Sequence, residues 1–237
     1  MKMLKSIIVL LAVFCTVLST QSCKDECEDL MCDCPDGYTG INCEIFDDTE
    51  VQALLDGGKT PLELISDNFP LNSLYGKMYE GGLIFYFNAS DSSGMVAAAT
   101  DQSTGATWGC LGDEINGADG KVLGTGAQNT MDILMGCNTD GIAAKLCAQL
   151  ELNGYTDWFL PAQDELNLMW INLADSDGDG YSSGADYEGN LGGFAASFYS
   201  SSTEFSEQST WVQFFSSGNK ISDFKTNSHH VRAARVF

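Results

Sequence analysis

The stretch Asp175-Ser-Asp177-Gly-Asp179-Gly180-Tyr181-Ser-Ser183-Gly-Ala-Asp186 concentrates the most explicit chemistry in the chain. Carboxylates stand at positions 1, 3, 5 and 12 of a twelve-residue span, glycine at 6, and Tyr181 offers a backbone carbonyl at 7. Hard oxygen ligands at that spacing wrap a cation the size of calcium, and Gly180 permits the sharp turn such a loop needs. The expected ligands of a structural Ca2+ are therefore Asp175, Asp177, Asp179, Tyr181 and Asp186. The competing reading is a solvated acidic turn.

Cysteine is the second chemical signal. The chain has nine. Cys15 falls in an apolar leader, and Cys27, Cys32, Cys34 and Cys43 crowd into one short stretch. A segment that small cannot bury a core and needs staples. Four close cysteines also suit zinc, but an exported chain favours disulfides. Cys110, Cys137 and Cys147 remain, an odd number, so one is expected to be a buried free thiol, since small cysteines behave as core hydrophobes.

Catalytic signatures are missing. The chain has no zinc-helix motif, nucleophile elbow or phosphate loop. Asp164 and Glu165 are neighbours on a helix and do not face one another as a catalytic pair would. His229 and His230 adjoin a strand, where successive side chains point to opposite faces, so they cannot ligate one metal together. Asp157, Arg232 and Arg235 are expected to form structural ion pairs, and Trp158 and Trp211 to act as core anchors rather than as sugar platforms. Across 237 residues, 33 acidic side chains against 11 basic ones give a formal charge of −22. That balance excludes phosphate-backbone binding, which needs clustered Lys and Arg to release counterions. With 44% hydrophobic residues, general disorder is excluded too.

The first 22 residues read as a secretory signal. Lys2 and Lys5 form the charged start, and the apolar run from Ile7 to Leu18 is long enough for a signal and short for a membrane span. Cys23 follows at a distance that resembles a bacterial lipobox, with Gln21 departing from the tighter consensus. The competing reading is ordinary cleavage, with Cys23 as one more disulfide cysteine. Lys24-Asp25-Glu26 resembles the Lys-plus-acidic signal that sends lipoproteins of the Bacteroidetes type to the cell surface. More than one acyl chain gives stable anchoring where a single chain would not. The expectation is a lipid anchor at Cys23 and exposure on the bacterial outer membrane.

The elements that must position these residues form an α+β pattern. Thr60-Pro61-Leu62-Glu63 is a capping box with proline at N1, inside a stretch of short helices from Thr49 to Tyr79. Gly81 to Phe87 is a buried strand, and a turn at Asp91 to Gly94 leads to a second one, Met95 to Ala99. The next thirty residues or so read as ordered loop with one short helix near Thr130 to Leu134. Ile142, Leu146 and Leu150 predict a helix from Thr139 to Leu152, closed by Asn153-Gly154. Leu166, Trp170 and Leu173 predict another from Pro161. Strands follow around Phe198 to Ser201, Trp211 to Phe215, Lys220 to Phe224 and Val231 to Phe237, with Gly218-Asn219 as a hairpin turn.

Two resemblances organise the chain. Cys32-Asp-Cys34-Pro-Asp-Gly-Tyr-Thr-Gly-Ile-Asn-Cys43 resembles the C-terminal half of an EGF-like module, truncated at its first half. That pattern implies a Cys34–Cys43 bridge, leaving Cys27–Cys32 as the simplest second one. Trp108-Gly-Cys110, Asn153-Gly-Tyr-Thr-Asp-Trp-Phe-Leu-Pro161 with Asp164-Glu165-Leu166, Ser201-Ser-Thr-Glu204, Trp211 and Val231-Arg-Ala-Ala-Arg235 stand in an order that resembles the Lcl C-terminal-domain family of bacterial collagen-like adhesins. The element order is similar to a C-type-lectin-like fold, in which two helices and a long loop precede the closing strands. Many family members have cysteine where Ala233 stands, able to bridge to the position of Cys147; this chain lacks that partner. The calcium-type loop, ending in Asp, resembles dockerin loops more than EF-hands.

The implied organisation is a signal over 1–22, a truncated EGF-like segment over 23–44, a helical neck over 45–78 and the Lcl-like domain over 79–237, with the acidic loop 175–186 inserted. Three function classes follow in order: a surface-anchored binding or adhesion module for a glycan or extracellular protein ligand, a structural surface component, and last an enzyme. Some adhesins of the family bind sulfated polysaccharides, but that rests on basic patches, which a chain of this charge does not supply. The Glu-Pro-Asn, Gln-Pro-Asp and Trp-Asn-Asp motifs of calcium-dependent lectin sugar sites are absent from the sequence.

Overall fold

The structure is a computed structural model that describes residues 38–39, 44–45, 48–175 and 189–237. Cys23, Cys27, Cys32, Cys34 and Cys43, with the leader, lie outside the described residues, as do Asp177, Asp179, Tyr181 and Asp186. The chain divides into two compact units, Met1–Phe46 and Asp47–Phe237. In the first, strands β1 (Tyr38–Thr39) and β2 (Glu44–Ile45) pair antiparallel.

The second unit is α+β. It begins with α1 (Asp48–Asp56) and α2 (Pro61–Ser66), followed by a 3-10 turn at Leu71–Leu74. The capping box forms as expected: the Thr60 hydroxyl accepts the Glu63 N–H, and the Glu63 carboxylate accepts the Thr60 N–H at 2.8 Å. Val51, Leu55, Leu64 and Leu74 are buried in the same core as the strands that follow, so these helices belong to the body of the unit.

A four-stranded antiparallel sheet runs in the order β11-β5-β4-β3, with β3 at Met78–Tyr79, β4 at Gly82–Asn88, β5 at Ser93–Ala97 and β11 at Ala234–Val236. The unbroken apolar run of β4 has a simple cause: the sheet is covered on both faces. Ile84 and Phe87 enter one hydrophobic cluster, while Leu83 and Phe85 enter another with Met95, Leu166, Met169 and Leu173. A five-stranded sheet follows the order β6-β10-β7-β8-β9, built from β6 (Ser103–Thr107), β7 (Phe198–Ser206), β8 (Ser209–Phe214), β9 (Asn219–Phe224) and β10 (Ser228–Val231). Gly218, at φ +69°, makes the β8–β9 turn, and the Trp170 ring lies so close that a Cβ there would meet it at 2.6 Å.

Several expectations need correction. The segment after β5 contains a strand, β6, and an eleven-residue helix, α3 (Gly126–Gly136), where loop and one short helix were expected. The helix read from Thr139 to Leu152 shrinks to α4 (Ala143–Ala148). Asn153-Gly154 does reverse the chain, but it closes a bridge between Leu152 and Tyr155 rather than a helix, with both residues at positive φ. The helix from Pro161 is α5 (Gln163–Met169), prolonged by a π-helical turn at Trp170–Ala174. The single strand expected from Val231 to Phe237 is two strands in different sheets. Between them the buried Arg232 guanidinium donates to the carbonyls of Ala98 and Gly192, and the Ala233 N–H donates to the Gln102 side chain. Those bonds draw the chain out of one ladder and into the other.

Candidate binding surface

The polar residues of the matched motifs are spent on holding the backbone. Asp101 accepts the Arg232 Nε–H at 2.7 Å and the Tyr199 hydroxyl at 2.9 Å, and His230 Nδ1 lies 2.8 Å from the same carboxylate. Arg235 donates to Asp157 at 2.5 Å and to the Glu80 carbonyl, with its guanidinium 3.7 Å over the Tyr155 ring. Structural ion pairs were expected for Asp157, Arg232 and Arg235; Arg232 takes Asp101, which sequence reasoning had not singled out. His229 and His230 do point to opposite faces: His229 Nε2 lies 3.1 Å from Asp223, and burial lowers the His229 pKa.

Two buried carboxylates anchor the long segment ahead of α3. Glu165 accepts the N–H groups of Gly124, Gly126 and Ala162, and its close approach leaves no room for a Cβ on Gly126. Burial raises its pKa in spite of those donors. Glu204 pairs with the fully buried Lys225 and accepts the Ile115 N–H at 3.1 Å. Lys225 also donates to the Asp113 carbonyl and lies 4.5 Å over the Trp108 ring. Cys110 and Cys137 form a disulfide, and Cys147 is the buried free thiol, its pKa raised by burial. Asp164 donates its N–H to the Lys121 carbonyl.

Asp175 is the one expected calcium ligand within the described residues. It is buried at the end of the π-helical turn, with its N–H donating to the Trp170 carbonyl at 2.9 Å. Among the described residues no group of three or more His, Cys, Asp or Glu side chains is placed to hold a metal ion, and no helix is long and apolar enough to cross a membrane.

Trp158 is a buried core residue, as expected. Trp211 is not. It is only half-buried and belongs to neither hydrophobic cluster. Its side chain shares a sheet face with Ser209 by alternation along β8, and so with Phe224, the cross-strand partner of Ser209. Phe205 stands edge-on to the Trp211 ring, centroids 5.2 Å apart, and Lys121 Nζ lies 5.3 Å from its centroid. Phe205 is 54% exposed and Phe224 56% exposed. Three aromatic rings and a cation thus gather on one open side of the sheet. The register that brings them together lies between strands, so periodicity along any one strand could not show it. A separate groove of about 390 Å³ runs between Thr100–Gln102 and Leu146–Leu152, but its Asp101 and Gln102 are already bonded within the protein.

No curated protein matches the chain. The family model described as the Lcl C-terminal domain matches residues 97–235, from the last residue of β5 into β11, including Glu165, Glu204 and the Phe205–Trp211 pair. The chain belongs to the Lcl C-terminal domain family.

Proposed function

We propose that this protein is a binding module of the bacterial cell surface, lipid-anchored at Cys23, that takes a glycan on the aromatic face formed by Phe205, Trp211 and Phe224. The observation that carries the reading is the exposure of Phe205 and Phe224 beside the half-buried Trp211 on one sheet face. An apolar patch left open on a folded surface marks a contact site, and the flat C–H face of a sugar ring stacks on aromatic carbon while its hydroxyls reach the polar surround. The C-type-lectin-like order expected from the sequence supports the same reading. The acidic loop 175–186 takes Ca2+ in a structural role, and the EGF-like segment acts as a spacer.

A glycan array probed with the chain carrying Cys23→Ser tests the ligand. The doubly substituted Phe205→Ala/Phe224→Ala chain should lose at least tenfold in signal with an unchanged melting temperature. Binding that survives the double substitution would refute the surface assignment. The anchor is tested in cells: Cys23→Ala should move the chain from the membrane to the soluble fraction, and external protease should cleave the lipidated form on intact cells.

A further inference from the structure

The sequence holds two Asn-Gly pairs, Asn116-Gly117 and Asn153-Gly154. Glycine lacks a Cβ, so nothing on the second residue shields its peptide nitrogen from the asparagine side chain. Both pairs are exposed, so exposure does not separate them. Their bonding does. Asn153 and Gly154 form a two-residue reversal, both at positive φ, across which Leu152 and Tyr155 exchange both backbone hydrogen bonds at 3.0 Å. The Asn153 amide donates to the Gly81 carbonyl at 2.9 Å, which ties its side chain to a distant segment.

Asn116 has no such tether. Ile115 to Ala118 make a turn closed by one bond, from the Ala118 N–H to the Ile115 carbonyl at 3.1 Å, with Gly117 at φ +92°. The third position of a type II turn requires positive φ. A Cβ at 117 would also meet Asp132 Oδ2 at 2.6 Å, so two constraints keep glycine there. Neither the Asn116 side-chain amide nor the Gly117 N–H has a hydrogen-bond partner among the described residues. Ile115 and Ala118 are buried, and Glu204 grips both: its carboxylate accepts the Ile115 N–H at 3.1 Å, and its N–H donates to the Ala118 carbonyl at 2.7 Å.

We infer that Asn116 is a site of spontaneous chemical modification, converted through a succinimide to aspartate and to its β-linked isomer, and that the β-linked product opens the turn held by Glu204. The Gly117 nitrogen gives up its proton to solvent base and attacks Asn116 Cγ. The new N–Cγ bond closes a five-membered ring, and the side-chain nitrogen leaves as ammonia. Water then opens the ring. Cleavage at Cγ restores an ordinary backbone with a carboxylate at 116, whereas cleavage at the main-chain carbonyl carbon routes the backbone through the side chain. No oxidant or reductant takes part, and water is the only co-reactant. Either product adds a negative charge to a chain already at −22. The β-linked one also puts an extra backbone atom between Ile115 and Ala118, which the single closing bond and the two Glu204 contacts do not accommodate. This inference does not depend on the glycan reading.

The test incubates the full-length chain in detergent at neutral and mildly alkaline pH and follows both pairs by peptide mapping. Asn116 should gain the mass of amide-to-acid conversion, with ammonia released, faster at the higher pH, and an isoaspartyl methyltransferase should label the product. Asn153 reacts only from a locally opened state and should lag by about tenfold or more. In denaturant the two should convert at similar rates. The β-linked fraction, separated by ion exchange, should lose amide-exchange protection at Ile115 and Glu204, whereas an Asn116→Asp chain, with the same charge and an ordinary backbone, should keep it. An Asn116 that retains its amide, an Asn153 that converts as fast in the native chain, or a difference that persists in denaturant would overturn the proposal. So would unchanged protection in the β-linked fraction, or an equal loss in the Asn116→Asp chain.

Discussion

Glu165 on α5 accepts the Gly124 N–H at 2.8 Å across 41 residues of sequence. The same carboxylate accepts the N–H groups of Gly126 and Ala162, so one side chain ties the start of α3 to the start of α5. Three backbone donors in a dry setting have no other acceptor of comparable reach. An unmade buried hydrogen bond costs about 1–3 kcal/mol, so Glu165→Leu should lower unfolding free energy by about 3 kcal/mol or more, read as a lower denaturant midpoint with unchanged slope. Because burial raises its folded-state pKa above the unfolded one, the neutral form is favoured by folding. That contribution is full below the ordinary glutamate value of about 4.3 and fades as pH rises through the folded value. A Glu165→Gln chain should lack this pH-dependent component.

His229 carries the opposite sign. Its folded pKa lies below the unfolded one because burial disfavours the charged ring. The stability linked to neutral His229 is present above about pH 6.5 and is lost as pH falls through the window beneath it, at no more than about 1.4 kcal/mol per pH unit. The difference in unfolding free energy between the unaltered chain and His229→Gln, followed from pH 7.5 to 5, should shrink with acid. A constant difference would place His229 outside the acid response.

The disulfide and the free thiol make separate forecasts. Cys110 and Cys137 close a loop with a sequence separation of 27, for which the chain-entropy relation gives about 3–4 kcal/mol. Replacing both with serine should lower stability by about that much. Cys147 is buried with a raised thiol pKa, so it should stay inert to a thiol reagent in the native state and react fully once denaturant is added.

The calcium proposal is tested by heat. Ligand that binds only the folded state adds RT ln(1 + [L]/Kd), about 2.7 kcal/mol at a hundredfold excess over Kd. Millimolar calcium should raise the melting temperature, chelator should lower it, and magnesium should do less because it gives up its waters reluctantly. Asp175→Ala with Asp179→Ala should remove the calcium effect. An unchanged melt of the unaltered chain would mean a solvated turn.

Local chemistry was legible wherever a few adjacent residues suffice. The Thr60–Glu63 capping box, the buried run of β4 and the opposite faces of His229 and His230 all depend on contacts within a few residues, and they stand as expected; the β8–β9 reversal falls one residue earlier than read, over 215–218, with Asn219 already paired to Phe214. The ordered motifs were enough to identify the family. Element lengths were less legible. Ile142, Leu146 and Leu150 keep a helical period, yet α4 stops at Ala148, because the pull of Asn153 on the Gly81 carbonyl and the bridge between Leu152 and Tyr155 lie outside any periodic pattern.

What folding alone decided is which distant groups meet. Nothing near Arg232 in sequence marks Asp101, 131 residues away, as its partner, and nothing near Trp211 shows that Phe224 shares its face. A buried charge must find its counter-charge in three dimensions or not be buried at all, and cross-strand register comes from hydrogen bonds between segments rather than from the order of residues within one. Side-chain type and spacing therefore set the local elements and the chemistry each residue can offer. The break between β10 and β11, the commitment of each carboxylate to backbone or guanidinium, and the open aromatic face are settled by long-range packing, where backbone groups with no water must be satisfied from elsewhere in the chain.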